Sequence, residues 1–357
     1  MHNFWNNKKV LITGHTGFKG SWLSIWLNLW GAEVMGYALE PRTEKDNFVT
    51  SHLKNEITDL RGDIRDFDRL LSTIKKFRPE IVFHLAAQSL VRLSYHYPKD
   101  TYDTNIGGTV NLLECCRTID SVRVIINVTS DKCYMVGNDL KSYREDDRLG
   151  GSDPYSSSKA GSEIVTEAYR QSFFSKGDKD GQINLASVRA GNVIGGGDWC
   201  TDRLIPDCIR FLEEGQKIVL RNPKSVRPWQ YVLEPLYGYI SLASKMYDSQ
   251  SYNGAWNFGP NSESHITVES VVDLVVDNWG EGSISKMDQK EDMVETNILI
   301  LDSSKAKEIL GWTPLLSIEE AVQNTINWYK SYSSENIRDF CVSQIQDYYY
   351  RANLQTK

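Results

Sequence analysis

The stretch that most limits what this chain can become is residues 9–31, KVLITGHTGFKGSWLSIWLNLWG. Val10, Leu11 and Ile12 make a short apolar run, Gly14, Gly17 and Gly20 follow at spacing three, and from Ser21 apolar residues recur with helical period. That order is a strand delivered into a helix through glycines. Such a junction gathers free backbone N–H groups and the positive end of a helix dipole at one point, where a pyrophosphate can rest. Gly14 suits the tight turn, Gly17 the close approach of phosphates, and Gly20 the close packing of helix on strand. Thr16, Phe18 and Lys19, between those glycines, are expected to share in binding a dinucleotide. An ordinary glycine-rich turn has the same three letters, so the elements downstream must decide.

Trp22, Trp26 and Trp30 recur at i, i+4 and i+8 as a core-facing stripe, which Gly31 ends as a C-terminal cap. A second strand is expected over 33–39. At its end an acidic residue holds the ribose hydroxyls of NAD, whereas a basic one favours NADP. Glu40 and Arg42 both lie there, and the residues alone leave that choice open. Gly62-Asp63-Ile64-Arg65-Asp66 follows, then a helix over 70–77, a strand over 81–85 entering Ala86-Ala87-Gln88, a helix over 104–117 that begins near Asn105, and a strand over 122–129. Ala86 and Ala87 are small residues at a strand's carboxyl end, where a cofactor crevice needs room, and Gln88 and Asn105 are expected to meet the cofactor beside them. The alternation implies a doubly wound parallel sheet with helices on both faces, a Rossmann-type α/β fold. The 357 residues suffice for two modest cores. The expected division is a dinucleotide-binding domain over 1–190 and a smaller mixed α/β substrate domain over 191–357, with segments such as 220–255 returning to the first.

A net charge of -7 argues against nucleic acid or an anionic membrane as partner. The N-terminus has no signal-peptide core and no run approaches the ~20 apolar residues of a membrane span, so a cytoplasmic protein is expected. The 6 cysteines show no Cys-x-x-Cys pair and no histidines at ligand spacing, so neither a disulfide framework nor a metal site is expected.

The strand over 124–128 opens into Thr129-Ser130-Asp131-Lys132-Cys133-Tyr134, which puts polar side chains at the carboxyl end of a central strand. Then Asp153-Pro154-Tyr155-Ser156-Ser157-Ser158-Lys159 begins a long helix running to Phe174. Tyr155 and Lys159, four apart, share a helix face. The ammonium favours the phenolate and is expected to draw the tyrosine from ~10 towards working pH. A base so placed can take the proton of a substrate hydroxyl while the adjoining carbon gives hydride to the dinucleotide.

The Gly-x-x-Gly-x-x-Gly turn and the Tyr-x-x-x-Lys helix together resemble the extended branch of the short-chain dehydrogenase/reductase superfamily. Within it, Ser130-Asp131-Lys132 looks like the active-site loop of nucleotide-sugar 4,6-dehydratases. Phe4-Trp5, residues 13–22, 90–95 and 189–199, and Arg227-Pro228-Trp229-Gln230 are similar to the CDP-glucose 4,6-dehydratases, a likeness spanning nearly the whole chain. The resemblance implies NAD as cofactor, with Asp63 and Ile64 contacting its adenine and Lys159 holding its ribose and tuning Tyr155. It implies Ser130 on O4 of the sugar, Asp131 as the acid that protonates the departing 6-hydroxyl, and the next residue as the base for the 5-proton. That residue is Lys132, where the dTDP-glucose type has Glu, which leaves the base as either Lys132 or another group. A tryptophan-rich segment of the family is missing between Val136 and Ser142. The resemblance also implies a homodimer paired through the helices over 104–117 and 155–174.

An acidic chain that binds a nucleotide diphosphate must supply local cations. Asn192, Arg203, Arg221 and Arg227 are the expected substrate contacts, with Arg227 at the diphosphate by resemblance. Two other readings stay open: a sugar-nucleotide 4-epimerase or ketoreductase, which shares Tyr155 and Lys159 but has no use for an acid at Asp131, and a dinucleotide-sensing binding module. Residues past Tyr332 read as a polar helix and tail without an assigned purpose.

Overall fold

The computed structural model describes residues 1–137, 142–174, 182–286 and 298–355. Strands β1 (Lys9–Thr13), β4 (Ile81–His84) and β5 (Val124–Val128) are made almost wholly of buried Val, Leu, Ile and Phe. Only strands covered on both faces can afford that composition. With β2 (Glu33–Ala38), β3 (Thr58–Arg61), β7 (Asn184–Arg189) and β11 (Gly254–Asn257) they form a parallel sheet in the order β11-β7-β5-β4-β1-β2-β3. The order reverses between β1 and β4, and the carboxyl ends on either side of that point frame a crevice. The edge strand β3, Thr-Asp-Leu-Arg, has no apolar run to announce it.

The remaining strands make smaller sheets. β10 (Val226–Tyr231) lies between β8 (Asn192–Ile194) and β12 (His265–Thr267). β6 (Ser142–Tyr143) pairs with β14 (Ile300–Leu301), and β9 (Ile218–Leu220) with β13 (Ile284–Lys286). Residues 138–141, where the tryptophan-rich segment is missing, lie outside the described residues.

The helix expected over 104–117 is broken into Pro98–Tyr102, a wider turn Asp103–Gly107 and a helix Gly108–Arg117. The helix expected to run to Phe174 is regular over Pro154–Tyr169 and widens over Arg170–Phe174.

On the first helix, Phe18–Leu29, Trp22 and Trp26 are wholly buried. Trp26 stacks on Tyr237 and meets the edge of Tyr348, and Trp30 meets Tyr349. Both Tyr348 and Tyr349 belong to the C-terminal helix Ile337–Gln355, whose Ile337, Cys341, Ile345, Tyr348 and Ala352 are buried. The expected helix past Tyr332 is there, and the purpose left unassigned is supplied by a narrow apolar stripe at spacings of 4, 4, 3 and 4 that covers the tryptophans. No described helix is long and apolar enough to cross a membrane.

Candidate active site

Gly14 sits at φ 77, and Gly17 N donates to Gly14 O at 3.1 Å. A Cβ on Gly20 would come within 2.2 Å of that same oxygen, so only glycine lets the helix close on the turn. Gly17 precedes the helix Phe18–Leu29 without a side-chain cap, which leaves the first-turn N–H groups available to a ligand. These residues open into a cavity of about 610 Å³, within the range of small-molecule sites.

One wall of the cavity is Gly14, Thr16, Gly17, Phe18, Lys19 and Gly20; Asp63, Ile64, Ala86 and Ala87 continue it along the neighbouring strand ends. Ser130, Asp131, Lys132, Tyr155, Lys159, Asn192 and Arg203 close the other end. Four expected contacts are not in the wall. Gln88 turns its amide to Leu90 O and Thr101 Oγ1 at 3.0 Å each, and its N–H goes to Asn105 Oδ1. Asn105 is buried and also donates to Ser158 Oγ at 2.8 Å, so this pair braces the wall from behind. Arg221 reaches no nearer than 3.7 Å to Asp202, and Arg227, on β10 opposite Ile266, turns Nη1 to Val226 O at 2.8 Å. At the end of β2, Glu40 accepts from Arg61 Nε at 2.9 Å, and Arg42 donates to Cys200 Sγ at 3.4 Å.

The catalytic corner is set by local capping. Asp153 accepts Ser156 N at 2.9 Å and Pro154 fills the first helical position, so the helix begins where Tyr155 must project from its first turn. Ser130 caps a single turn over Asp131–Cys133, accepting Lys132 N at 3.2 Å, and its hydroxyl donates to Asp131 Oδ1 at 2.9 Å. Gly191 leaves room for that carboxylate: a Cβ there would stand 3.0 Å from Asp131 Oδ2. Tyr155, Lys159 and Asp131 are all buried, and Lys132 is half-buried.

The electrostatics differ from the expectation that Lys159 draws Tyr155 down. Burial pushes the Tyr155 phenol up to about 12, against a hydrogen bond from Ser130 and the charge of Arg203. Burial likewise pulls Lys159 down to about 8, with Glu163 opposing it. Desolvation penalises the charged form of each, and it is the largest influence on both. Lys19 is pulled down to about 7, first by burial and then by Arg203 and Lys159. Lys19, Lys159 and Arg203, among the basic side chains of the wall, thus converge with an uncapped glycine turn on one cavity, a donor set that fits the diphosphate of a dinucleotide.

Two pairs escape a reading of the sequence. Arg203 donates to Asp198 Oδ2 at 2.6 Å and to Ser89 Oγ at 3.2 Å, which fixes it at the cavity edge. Between the helix that carries Tyr155 and the end of β7, Glu163 and Arg189 form a buried pair at 2.7 Å. Tyr155, Lys159 and Glu163 recur every fourth residue, the one signal that could have flagged it.

A glycine-turned parallel sheet, with Tyr155 and Lys159 on the helix beside its central strands, defines a dinucleotide enzyme of the extended short-chain dehydrogenase/reductase class. More narrowly, the chain belongs to the family described as GDP-mannose 4,6 dehydratase, whose model matches residues 11–325. It is 47% identical to the CDP-glucose 4,6-dehydratase of Salmonella typhimurium, across 97% of this chain and 97% of that one. Among solved structures, the dTDP-glucose 4,6-dehydratase of Streptomyces venezuelae with NAD bound superposes with a TM-score of 0.73 at 23% identity, covering 90% of this chain and 97% of that one. The UDP-glucose 4-epimerase of Thermotoga maritima does so with a TM-score of 0.76 at 23% identity, covering 90% and 98%.

Proposed function

We propose that this chain is an NAD-dependent CDP-glucose 4,6-dehydratase that forms CDP-4-keto-6-deoxy-D-glucose. The observation that carries the reading is Asp131, a buried carboxyl beside Tyr155 at a strand end, in a chain alike over its whole length to a CDP-glucose dehydratase. An epimerase has no water to expel and no work for such an acid.

NAD, when bound, would supply the hydride chemistry, acceptor for the oxidation at C4 and donor for the reduction at C6. The glycine turn with Lys19 would hold its diphosphate, Asp63, Ile64, Ala86 and Ala87 its adenosine half, and Lys159 its ribose. Tyr155 accepts the proton of the 4-hydroxyl, with Ser130 hydrogen-bonded to that oxygen. The 4-ketone acidifies the neighbouring C5–H. Lys132 as the free amine, or a water beside it, takes the 5-proton; Asp131 gives a proton to the 6-hydroxyl as it departs as water, and a proton returns to C5 when C6 receives hydride. Arg203 would supply positive charge to the nucleotide diphosphate and Asn192 a neutral amide to its sugar-phosphate end, with Arg221 and Arg227, outside the cavity wall, as further cations. The chain pairs with a second copy through the helices over 104–117 and 155–174.

The test is incubation with CDP-, dTDP-, UDP- and GDP-hexoses, followed by mass analysis. The CDP-hexose should lose one water without build-up of NADH in solution, because the hydride is returned internally. Turnover that needs an added hydride acceptor, or that leaves the mass unchanged, contradicts the proposal.

A further inference from the structure

Glu163 lies one turn past Lys159 on the helix Pro154–Tyr169, and its side chain is 3% exposed. Its two oxygens take four donors. Arg189 Nε reaches Oε1 at 2.9 Å and Nη2 reaches Oε2 at 2.7 Å, Ser187 Oγ reaches Oε2 at 2.6 Å, and Thr129 Oγ1 also donates to Oε1. Burial alone would push this carboxyl up, but the charge of Arg189 and these hydrogen bonds hold it below the usual glutamate range. It is a fixed negative charge.

Its partners are as telling as its charge. Thr129 immediately precedes Ser130, so the bond from Thr129 ties the end of β5 to the catalytic helix. Arg189 continues the tie: Nη1 donates to Tyr134 Oη at 2.6 Å and to Glu145 O at 3.0 Å, and the guanidinium lies 4.8 Å from the Tyr134 ring centroid. Both ends of the Ser130–Asp131 loop are therefore fastened to the same carboxylate.

The groups around Lys159 come from four elements. Tyr155 and Glu163 share its helix, Cys133 faces it from the loop, His84 from β4 and Lys19 from the first helix. Cys133 and His84 are uncharged at working pH: burial pushes the thiol up, and burial and then Lys159 pull the imidazole down to about 3. Asp131 acts on Lys19 and Tyr155. Glu163 is left as the carboxylate that favours the ammonium form of Lys159.

We infer that Glu163 is a positioning residue for the catalytic pair: its buried carboxylate sustains the charge on Lys159 and locks the Ser130–Asp131 loop to the helix that carries Tyr155. The kinetic consequence rests on the dehydratase reading above. Without this anion, Lys159 gives up its proton at lower pH, and the phenolate of Tyr155 loses its counter-charge there.

The experiment compares wild type, Glu163→Gln, the double variant Glu163→Gln/Arg189→Gln, which avoids stranding a buried guanidinium, and Ser187→Ala, which removes one donor and no charge. Two readouts are taken on NAD-loaded protein. One is the pH profile of kcat on CDP-glucose. The other is the 15N NMR titration of the Lys159 amine, assigned by its loss in Lys159→Met, which needs no turnover. In both glutamine variants the alkaline limb and the amine titration should fall by about one pH unit. Ser187→Ala should melt earlier with both left in place. A Lys159 amine that titrates as in wild type in either folded glutamine variant overturns the inference. A wild type inert on CDP-glucose sinks the dehydratase reading instead, and the amine titration then decides the role of Glu163 by itself.

Discussion

At the scale of single residues, the decisive contrast is between Asp131 and Lys132, adjacent in the chain and both in the cavity wall. Asp131 is fully buried and takes the Ser130 hydroxyl at 2.9 Å, so its carboxyl is held in place before any substrate arrives. Asp131→Asn keeps the shape and removes the acid. It should lower dehydration by at least about 100-fold, in line with the worth of a positioned acid, while C4 oxidation persists in part as NADH retained on the enzyme. Lys132→Met should spare that same NADH signal but abolish the uptake of solvent deuterium at C5. Product formed by Asp131→Asn at the wild-type rate would remove Asp131 from the scheme. That Ser130, Asp131, Tyr155 and Lys159 would line one cavity was legible in the sequence, because each is a polar letter at a strand end or a helix start, whereas the acid role given to Asp131 comes from the resemblance. Glu163 and Arg189 were not. A buried charge makes sense only when its partner is beside it, and 26 positions separate these two. Gln88 and Asn105 were legible as polar residues near the crevice, but the bonds they make with each other and with Thr101 and Ser158 turn them away from it.

At the scale of elements, what could be read depended on how sharply burial was patterned. β1, β4 and β5 are nearly fully buried and mainly apolar, β7 is buried with apolar residues alternating among polar ones, and all were visible. β3 is polar and partly exposed, held by its pairing with β2, and it was invisible. The C-terminal helix hid its apolar stripe among polar residues, and cysteine and tyrosine fill two of the five buried positions. Its docking depends on a polar staple as well. Glu234, wholly buried on the helix Leu233–Met246, accepts Leu315 N at 2.9 Å, Leu316 N at 2.8 Å and Tyr348 Oη at 2.6 Å. Burial pushes its carboxyl up to about 7, with those hydrogen bonds opposing. Below the usual glutamate value the group is protonated folded or unfolded. As pH rises from there towards 7 the unfolded chain releases its proton first, so stability falls across that window and the loss is complete above it. Glu234→Gln keeps acceptors for the two backbone N–H groups and removes the titration. It should therefore match wild type in urea midpoint near pH 4.5 and exceed it at pH 8 by on the order of 1–3 kcal/mol. A variant that is weaker at pH 8 would mean that the ionised form is the one the fold needs.

At the scale of the whole molecule, the helix Pro154–Tyr169 looks two ways. Its inner face carries Tyr155, Lys159 and Glu163, all buried, and its outer face carries Ile164, which is 58% exposed. The helices packed beside it, Val91–His96 and Pro98–Tyr102, expose Tyr95 at 64% and Tyr102 at 38%. Large apolar side chains grouped on adjoining helices are what a partner surface looks like; of these, Ile164 lies on a helix through which the resemblance implies pairing, and Tyr95 and Tyr102 lie on the two helices packed against it. Pairing there would brace from outside the helix that Glu163 fastens from inside, so the dimer and the active site share one element. In light scattering the protein should run at twice the chain mass. Ile164→Asp, which buries a charge in that interface at a cost of several kcal/mol, should run at the chain mass with its far-ultraviolet circular dichroism retained. Because Ile164 points away from the catalytic corner, any loss of kcat in that monomer measures how much the second copy stiffens the helix under Tyr155. A wild type at the single-chain mass would leave these side chains as ordinary surface and confine the support of the helix to Glu163 and Arg189.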